Sequence, residues 1–359
     1  MKKLIFCFDG TSNDPSDAGD FFSDSSISNV LKLHAFFGGS LHPLNAANAK
    51  VKGQRSFYYS GVGTRGGWLR KALNSAFAPA DSDIEEIIDE AKKDLKKHYR
   101  EGDEIYIFGF SRGAAIARMF AAKHIDKRDV RLLGVFDTVA AIKGSLDLRR
   151  GSLPGSGILF ENGTIGRHIN RAVHLVSLDE KRIAFQPTLI NKDPKRVEEI
   201  WFAGVHSDIG GGYWFDGLSD ITLQYMCECA EAEGLTLLST GQIKYSTLQD
   251  PDKGFNGEED SICKDDLAIL PLTNGTMHEQ HRSGIKAKTL APRYPRVSVQ
   301  DRPSKSDVPV IHFTVAERFQ EVPNYRPYAL RNCKFRVLGK DGSLSNTLTG
   351  IEGLRRYTP

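Results

Sequence analysis

No stretch of the 359-residue sequence approaches the roughly 20 apolar residues that a membrane-spanning helix needs. Cysteine is scarce. The five are Cys7, Cys227, Cys229, Cys263 and Cys333, an odd number with no zinc-like spacing. That excludes a disulfide-stapled fold and points to reduced thiols, with Cys227 and Cys229 expected on opposite sides of one helix. Charge of one sign is also lacking. A formal net charge of +3 gives no reason to expect a nucleic-acid partner, and it would not oppose an anionic surface. There is no internal repeat, no low-complexity tract and no sharp linker. The start, MKKLIFCFDGT, resembles a signal peptide for six residues and then meets Asp9 and Gly10 with no cleavage site. The expectation is a protein made in the cytoplasm without a cleaved signal peptide.

What is present is an alternation. Short, continuous apolar runs at residues 3–8, 55–60, 104–108, 132–136, 172–176 and 199–205 read as buried strands. Between them lie helical patterns at 28–37, 68–77, 81–99, 114–123 and 218–232. Such alternation predicts an α/β fold with a mostly parallel central sheet and helices on both faces. Residues 239–308 are polar, proline-containing and poorly periodic, so they read as a loop-rich insertion or cap. An ordered unit from Val310 onward returns to the core. The expectation is one catalytic domain over residues 1–359.

Gly109-Phe110-Ser111-Arg112-Gly113 fits G-x-S-x-G. That motif needs a strand, a strained turn and a helix, so that the hydroxyl stands exposed above the sheet. Residues 104–108 supply the strand and 114–123 the helix. Ser111 is therefore the candidate nucleophile, and the Arg112 N–H would face a developing oxyanion. The alternative is a glycine-rich turn capped by serine. A serine nucleophile needs a base and an acid to orient it. The strand after the nucleophile helix ends in "LLGVF", and Asp137 follows. Its alternative role is a turn or helix cap.

Ten histidines compete for the base. His206 follows the strand "EIWFAGV", whereas His174 lies inside "AVHLV", along a strand and not past its end. Gly210, Gly211 and Gly212 then imply a loop that approaches a substrate or another backbone closely. Asp208 either holds that loop or competes with Asp137 as the acid. Trp214 and Phe215 are candidates to line an acyl pocket. The first strand runs into Asp9-Gly10-Thr11. In a hydrolase the loop after an early strand gives the second oxyanion donor, here Gly10 or Thr11, with Asp9 fixing the loop. D-G-T also suggests a haloacid-dehalogenase phosphatase, but Cys7 stands where that chemistry needs an aspartate.

"FCFDGTSND", "YYSGVGT", "FGFSRGAAIAR", "GVFDTVA", "HLVSLDEKRIAFQPTLI", "EIWFAGVHSDIGGGY" and "LSDITLQYM" occur in this order. Together they resemble the Tle1-like catalytic domains of type VI secretion phospholipase effectors. The resemblance extends more weakly to "IHFTVAERF" and "YRPYAL" and covers most of residues 3–330. It implies an α/β-hydrolase core, a triad mapping onto Ser111, Asp137 and His206, and hydrolysis of phospholipid acyl esters with no metal or cofactor. It further implies a membrane surface as substrate, a secretion-machine component and an immunity protein as partners, and export to act on target-cell membranes. Effectors of this kind are often longer, so the chain reads as little more than the catalytic unit. The amphipathic stretch from Gly67 to Phe77, with Arg65, Arg70 and Lys71 beside it, is either an interfacial helix or a core helix. The rival readings are a soluble esterase or thioesterase, a non-catalytic binding module, and a metal-dependent phosphatase using Asp9 and Asp208.

Overall fold

A computed structural model describes residues 1–10, 26–41, 51–61, 81–126, 128–140, 164–248, 262–279 and 290–358. The strands are β1 (Lys3–Phe8), β2 (Gln54–Tyr59), β3 (Glu104–Phe110), β4 (Val130–Phe136), β5 (Ile169–Ser177) and β6 (Val197–Phe202). Two short strands, β7 (Ser298–Val299) and β8 (Arg302–Pro303), form a separate ribbon. β9 (Val310–His312), β10 (Lys334–Leu338) and β11 (Leu348–Thr349) complete the set. Helices are α1 (Asn29–Phe36), α2 (Asp81–His98), α3 (Ser111–Lys123), α4 (His206–Gly210), α5 (Gly217–Ala232), α6 (Phe313–Glu321) and α7 (Gly350–Arg356).

The main sheet has nine described strands in the order β11-β10-β9-β6-β5-β4-β3-β1-β2, parallel throughout except for β11. This is an α/β-hydrolase-like fold. Strand periodicity explains why helices cover both faces. Leu4, Phe6 and Phe8 of β1 enter one apolar layer with Ile84, Ile88 and Ala91 of α2 and Ile116 and Phe120 of α3. Ile5 and Cys7 enter the other, with α1 and α5. Cys227 and Cys229 both lie in that second layer, since α5 is buried over most of its circumference. The two thiols stand two positions apart on this helix, about 200° around its axis. A third cluster joins Val176 and Trp201 to β9, β10, α6 and α7.

Several boundaries differ from the sequence pattern in one informative way. α3 begins at Ser111 itself, and β3 runs to Phe110. β6 ends at Phe202, and the chain bends through Gly204 (φ 117°) before α4 starts at His206. The apolar run past Phe202 is real, but Ala203 and Val205 line a buried turn instead of a strand. The run from Val310 to Val315 likewise splits after His312 into β9 and α6. Between α5 and β9 the described residues hold only two single-turn helices and the β7–β8 ribbon. Among the described residues no helix is long and apolar enough to cross a membrane.

Candidate active site

β3, β4, β5 and β6 are sequential neighbours in the sheet, so their C-terminal ends share one edge. Phe110 pairs with Phe136, which brings Ser111 and Asp137 to equivalent positions one residue past their strands. Both residues have positive φ, 57° and 39°. A non-glycine residue in that region costs of order 1–3 kcal/mol and persists only where the surroundings enforce it. Around Ser111 the enforcement is steric. A Cβ on Gly113 would lie 2.2 Å from the Asp9 carbonyl oxygen, and one on Gly109 would lie 2.7 Å from Ala114 Cα. The two glycines allow α3 to start directly on the strand end and press against β1. The first N–H groups of α3, Arg112 among them, then have no helical carbonyl to pair with.

His206 opens α4 on the same edge and is buried. Its Nδ1 donates to Asp137 Oδ2 at 2.5 Å. Asp137 is fully buried and also accepts from Arg293, with Nη1 to Oδ1 at 2.6 Å and Nη2 to Oδ2 at 2.9 Å, and from the Ser177 N–H at 3.0 Å. Burial alone would raise the carboxyl pKa. The Arg293 guanidinium and the His206 hydrogen bond outweigh it and hold Asp137 well below the usual carboxylate range. Asp137 is thus an ionised acceptor, which assigns the proton to His206 Nδ1 and leaves the lone pair on Nε2. Burial lowers the His206 pKa, against the opposing pull of Asp137, so the ring is neutral at pH 7. Nε2 is buried and, among the described residues, makes no hydrogen bond. The ring sits between Phe110 (centroids 4.7 Å apart) and the edge-on Phe185 (4.9 Å).

Ser111, Asp137 and His206 therefore lie along one sheet edge, with His206 and Asp137 hydrogen-bonded to each other. Asp208 goes elsewhere. Its Oδ2 accepts from the Val205 N–H at 2.9 Å and its Oδ1 pairs with His278 Nδ1 at 2.6 Å, so it caps α4 and ties it to the C-terminal part of the chain. Asp9 joins neighbouring elements, with Oδ2 accepting from Ser28 Oγ at the start of α1 and from Tyr58 OH of β2, both at 2.6 Å. Asp9 Oδ1 accepts from the Gly10 N–H at 2.6 Å. Thr11 and the Gly67–Phe77 stretch lie outside the described residues. The glycine run approaches protein: a Cβ on Gly210 would strike the Phe110 ring at 2.0 Å, and Gly211 (φ 80°) lies against the Asn29 backbone. Trp214 is half-buried and Phe215 is 49% exposed.

With that geometry in view, comparison with known proteins is decisive at one level. A family model described as "T6SS, Phospholipase effector Tle1-like, catalytic domain" matches residues 2–125 and 121–229. The chain belongs to this Tle1-like family. An uncharacterized protein of Saccharomyces cerevisiae is 32% identical over 133 residues, which are 33% of this chain and 17% of that protein. A crystal structure of an uncharacterized protein from Pseudomonas aeruginosa aligns over 70% of this chain and 48% of its own, at 22% identity and a TM-score of 0.41. A structure of the Tle1 effector bound to the VgrG spike of the type 6 secretion system aligns over 59% of this chain and 51% of its own, at 21% identity and a TM-score of 0.36. The Tle1-like chain thus spans about half of each of these two solved chains and a smaller part of the yeast protein.

Sequence reasoning missed Arg293, which is 1% exposed and sits 156 positions from the carboxylate it grips. It also donates to the carbonyls of Ser177 (2.9 Å) and Phe185. Its local sequence, "LAPRYPR", gives no sign of this. Glu180 and Arg182 were also passed over. Arg182 Nε and Nη2 fork onto the Glu180 carboxylate at 2.9 and 2.7 Å, and Arg182 stacks 3.6 Å above the Phe185 ring that edges His206. Glu180 Oε2 accepts from the His206 N–H at 3.3 Å. The run of four charged residues inside "LDEKRIAF", directly after an apolar strand, was the available signal.

Proposed function

We propose that this Tle1-like domain is a serine hydrolase of carboxylic esters, acting on phospholipid acyl chains as a phospholipase A. The observation that carries the reading is the buried His206–Asp137 pair, with its bare Nε2 on the same edge as the strained Ser111 turn. Ser111 Oγ attacks the acyl carbonyl while His206 Nε2 takes its proton. Asp137 holds the ring and stabilises the imidazolium. The Arg112 N–H receives the oxyanion, and the loop after β1 supplies a second donor. Gly10 is the weaker choice there, because its N–H already donates to Asp9. His206 then returns the proton to the leaving alcohol, and water repeats the cycle on the acyl-enzyme.

Two observations support a lipid substrate. One is membership of a phospholipase effector family. The other is a ledge at the start of α5: Phe215, Leu270 and Leu272 are 49%, 66% and 52% exposed, Leu272 packs on Gly217 and the Leu270 N–H donates to Asp220. Exposed large apolar side chains gathered in one place mark interaction surfaces. A phospholipid bilayer fits that chemistry. Family membership also motivates delivery by a type VI secretion machine and a protective immunity protein. The test is fatty-acid release from phospholipid vesicles by the protein and by Ser111→Ala. Release by the first alone supports both nucleophile and substrate. Cleavage of short-chain esters without release from vesicles would keep the triad and replace the phospholipase by a soluble esterase.

A further inference from the structure

We propose that His174, paired with Glu199, is a positioning residue that holds the Asp137 turn in register with His206. This rests on the Ser111–His206–Asp137 reading and goes beyond it. His174 lies in β5, directly across from Val135 on one side and Glu199 on the other, and is fully buried. Beyond Phe136 the chain leaves the ladder. The Asp137 N–H still reaches a strand carbonyl, Leu175 O at 2.7 Å. The next N–H, of Thr138, donates instead to His174 Nε2 at 3.1 Å.

A backbone N–H can only donate, so His174 Nε2 must be unprotonated. The ring proton is then on Nδ1, where Glu199 Oε2 accepts it at 2.9 Å. The same oxygen accepts from the Ile190 N–H at 2.9 Å. A buried histidine with both nitrogens satisfied is ordinarily a core residue. What distinguishes this one is the segment it grips. Asp137 has φ 39°, its side chain bears on His206, and the Val139 N–H returns to Ser111 O at 3.2 Å. Residues 137–139 therefore bridge the acid and the nucleophile, and His174 fastens their midpoint. Thr138 O is held from the other direction by the Thr188 N–H at 2.8 Å, and Arg118 of α3 clamps the carbonyls of Thr188 and Leu189. Two imidazole–carboxylate pairs thus stand one behind the other, with the Asp137–Thr138 backbone between them. The front pair moves a proton, and the rear pair fixes where the front carboxylate stands.

The test compares side chains by reach. His174→Gln retains an acceptor at about the distance of Nε2 and is expected to keep kcat on p-nitrophenyl butyrate within about threefold of the parent. His174→Asn places its amide near Nδ1, keeps a partner for Glu199 and leaves the Thr138 N–H unpaired. It is expected to lose about 10²-fold in kcat, with KM changed by less than about twofold, because misplacement of the machinery acts on the transition state. A second readout does not depend on turnover: the far-downfield proton resonance of the His206 Nδ1–H···Asp137 bond, assigned by its loss in Asp137→Asn. It should persist in His174→Gln and shift or broaden in His174→Asn. A folded His174→Asn protein with parental kcat and an unshifted resonance overturns the proposal, as does a Gln variant as impaired as the Asn variant. If His174→Asn does not fold, Glu199→Ala replaces it with the same expectations and the same overturning result. Ser111→Ala is assayed in parallel. Activity that survives it disproves the triad reading, while the resonance still reports whether His174 sets the geometry.

Discussion

The chain up to the end of α5 and the chain after it are built by different rules, and the site needs both. In the first part nearly every element announces itself by period: strands as apolar runs, helices as amphipathic stripes, candidate functional side chains just past an apolar run. In the second, from residue 233 to the start of β9, the described backbone is mostly irregular. Yet this second part supplies Arg293 to Asp137 and His278 to Asp208. The proposed reactive groups come from the periodic scaffold, whose strand ends give fixed positions. His174 grips the Asp137 turn from within that scaffold, while Arg293 and His278 reach the same edge from the irregular part.

The largest expected contrast is between removing a reactive group and removing a brace. Ser111→Ala should lower kcat by about 10⁶-fold, as loss of a serine nucleophile does elsewhere, with the thermal midpoint nearly unchanged because only the hydroxyl of this residue is removed and the turn backbone stays. Measured ester turnover and a melting curve on the same sample check both halves. A variant that loses stability in place of activity would assign Ser111 to the turn alone.

Arg293→Met reverses the pattern. It leaves Asp137 buried and charged without its guanidinium, a change that typically costs about 3–5 kcal/mol. The pH dependence follows from the sign. Asp137 titrates below its unfolded value in the parent, so it contributes stability at neutral pH that is lost as pH falls through the range below about 4. Without Arg293 the carboxyl pKa rises, and acid unfolding should begin at a higher pH. Chemical denaturation across pH 3–7 measures it, and an unshifted acid limb would remove Arg293 from the account.

These two cases also show what a sequence can disclose. Ser111, Asp137 and His206 were legible because each terminates a buried apolar run, and parallel strands place all such ends on one edge. Arg293 was not, since a proline-flanked arginine in a polar stretch looks like surface, and only the tertiary contact with residue 137 gives it a role. His174 was legible as a strand residue but not as a hydrogen-bond acceptor, because nothing local shows that the chain beyond β4 doubles back over it. The rival acid, Asp208, lies three residues past the apolar run that His206 follows. The pairing with His278 diverts it, and that partner again comes from the irregular part.

A smaller effect should separate surface from site. Phe215→Ser with Leu272→Ser removes apolar area from the exposed ledge, so stability should change by no more than about 0.5 kcal/mol per site. Turnover of a short-chain ester should be unchanged, while fatty-acid release from vesicles should fall several-fold, by about 25 cal/mol for each Å² no longer buried against lipid. Equal losses on both substrates would place the ledge inside the catalytic machinery and not at a membrane.

The smallest effect tests the seam between the two parts. Asp179, in the loop after β5, accepts from the Gly204 N–H at 2.8 Å and from Tyr325 OH at 2.9 Å, so it links the turn before His206 to the C-terminal region. Burial dominates and raises its pKa to about 6. For an acid with a folded pKa above the unfolded value of about 4, the folded state holds the extra proton. Stability is therefore lost as pH rises from about 4 toward 6, and the penalty is complete above that range. Asp179→Asn removes the titration while keeping one acceptor for the pair of donors. Its stability should be flatter over that window than the parent's, with kcat changed by less than threefold or so, since no reacting atom is touched. Urea unfolding at pH 4, 5, 6 and 7 resolves the slope. If the parent shows no such fall, Asp179 is ionised at little cost. The seam would then be a strong charge-assisted joint that ties the irregular part to the scaffold more tightly than its loops suggest.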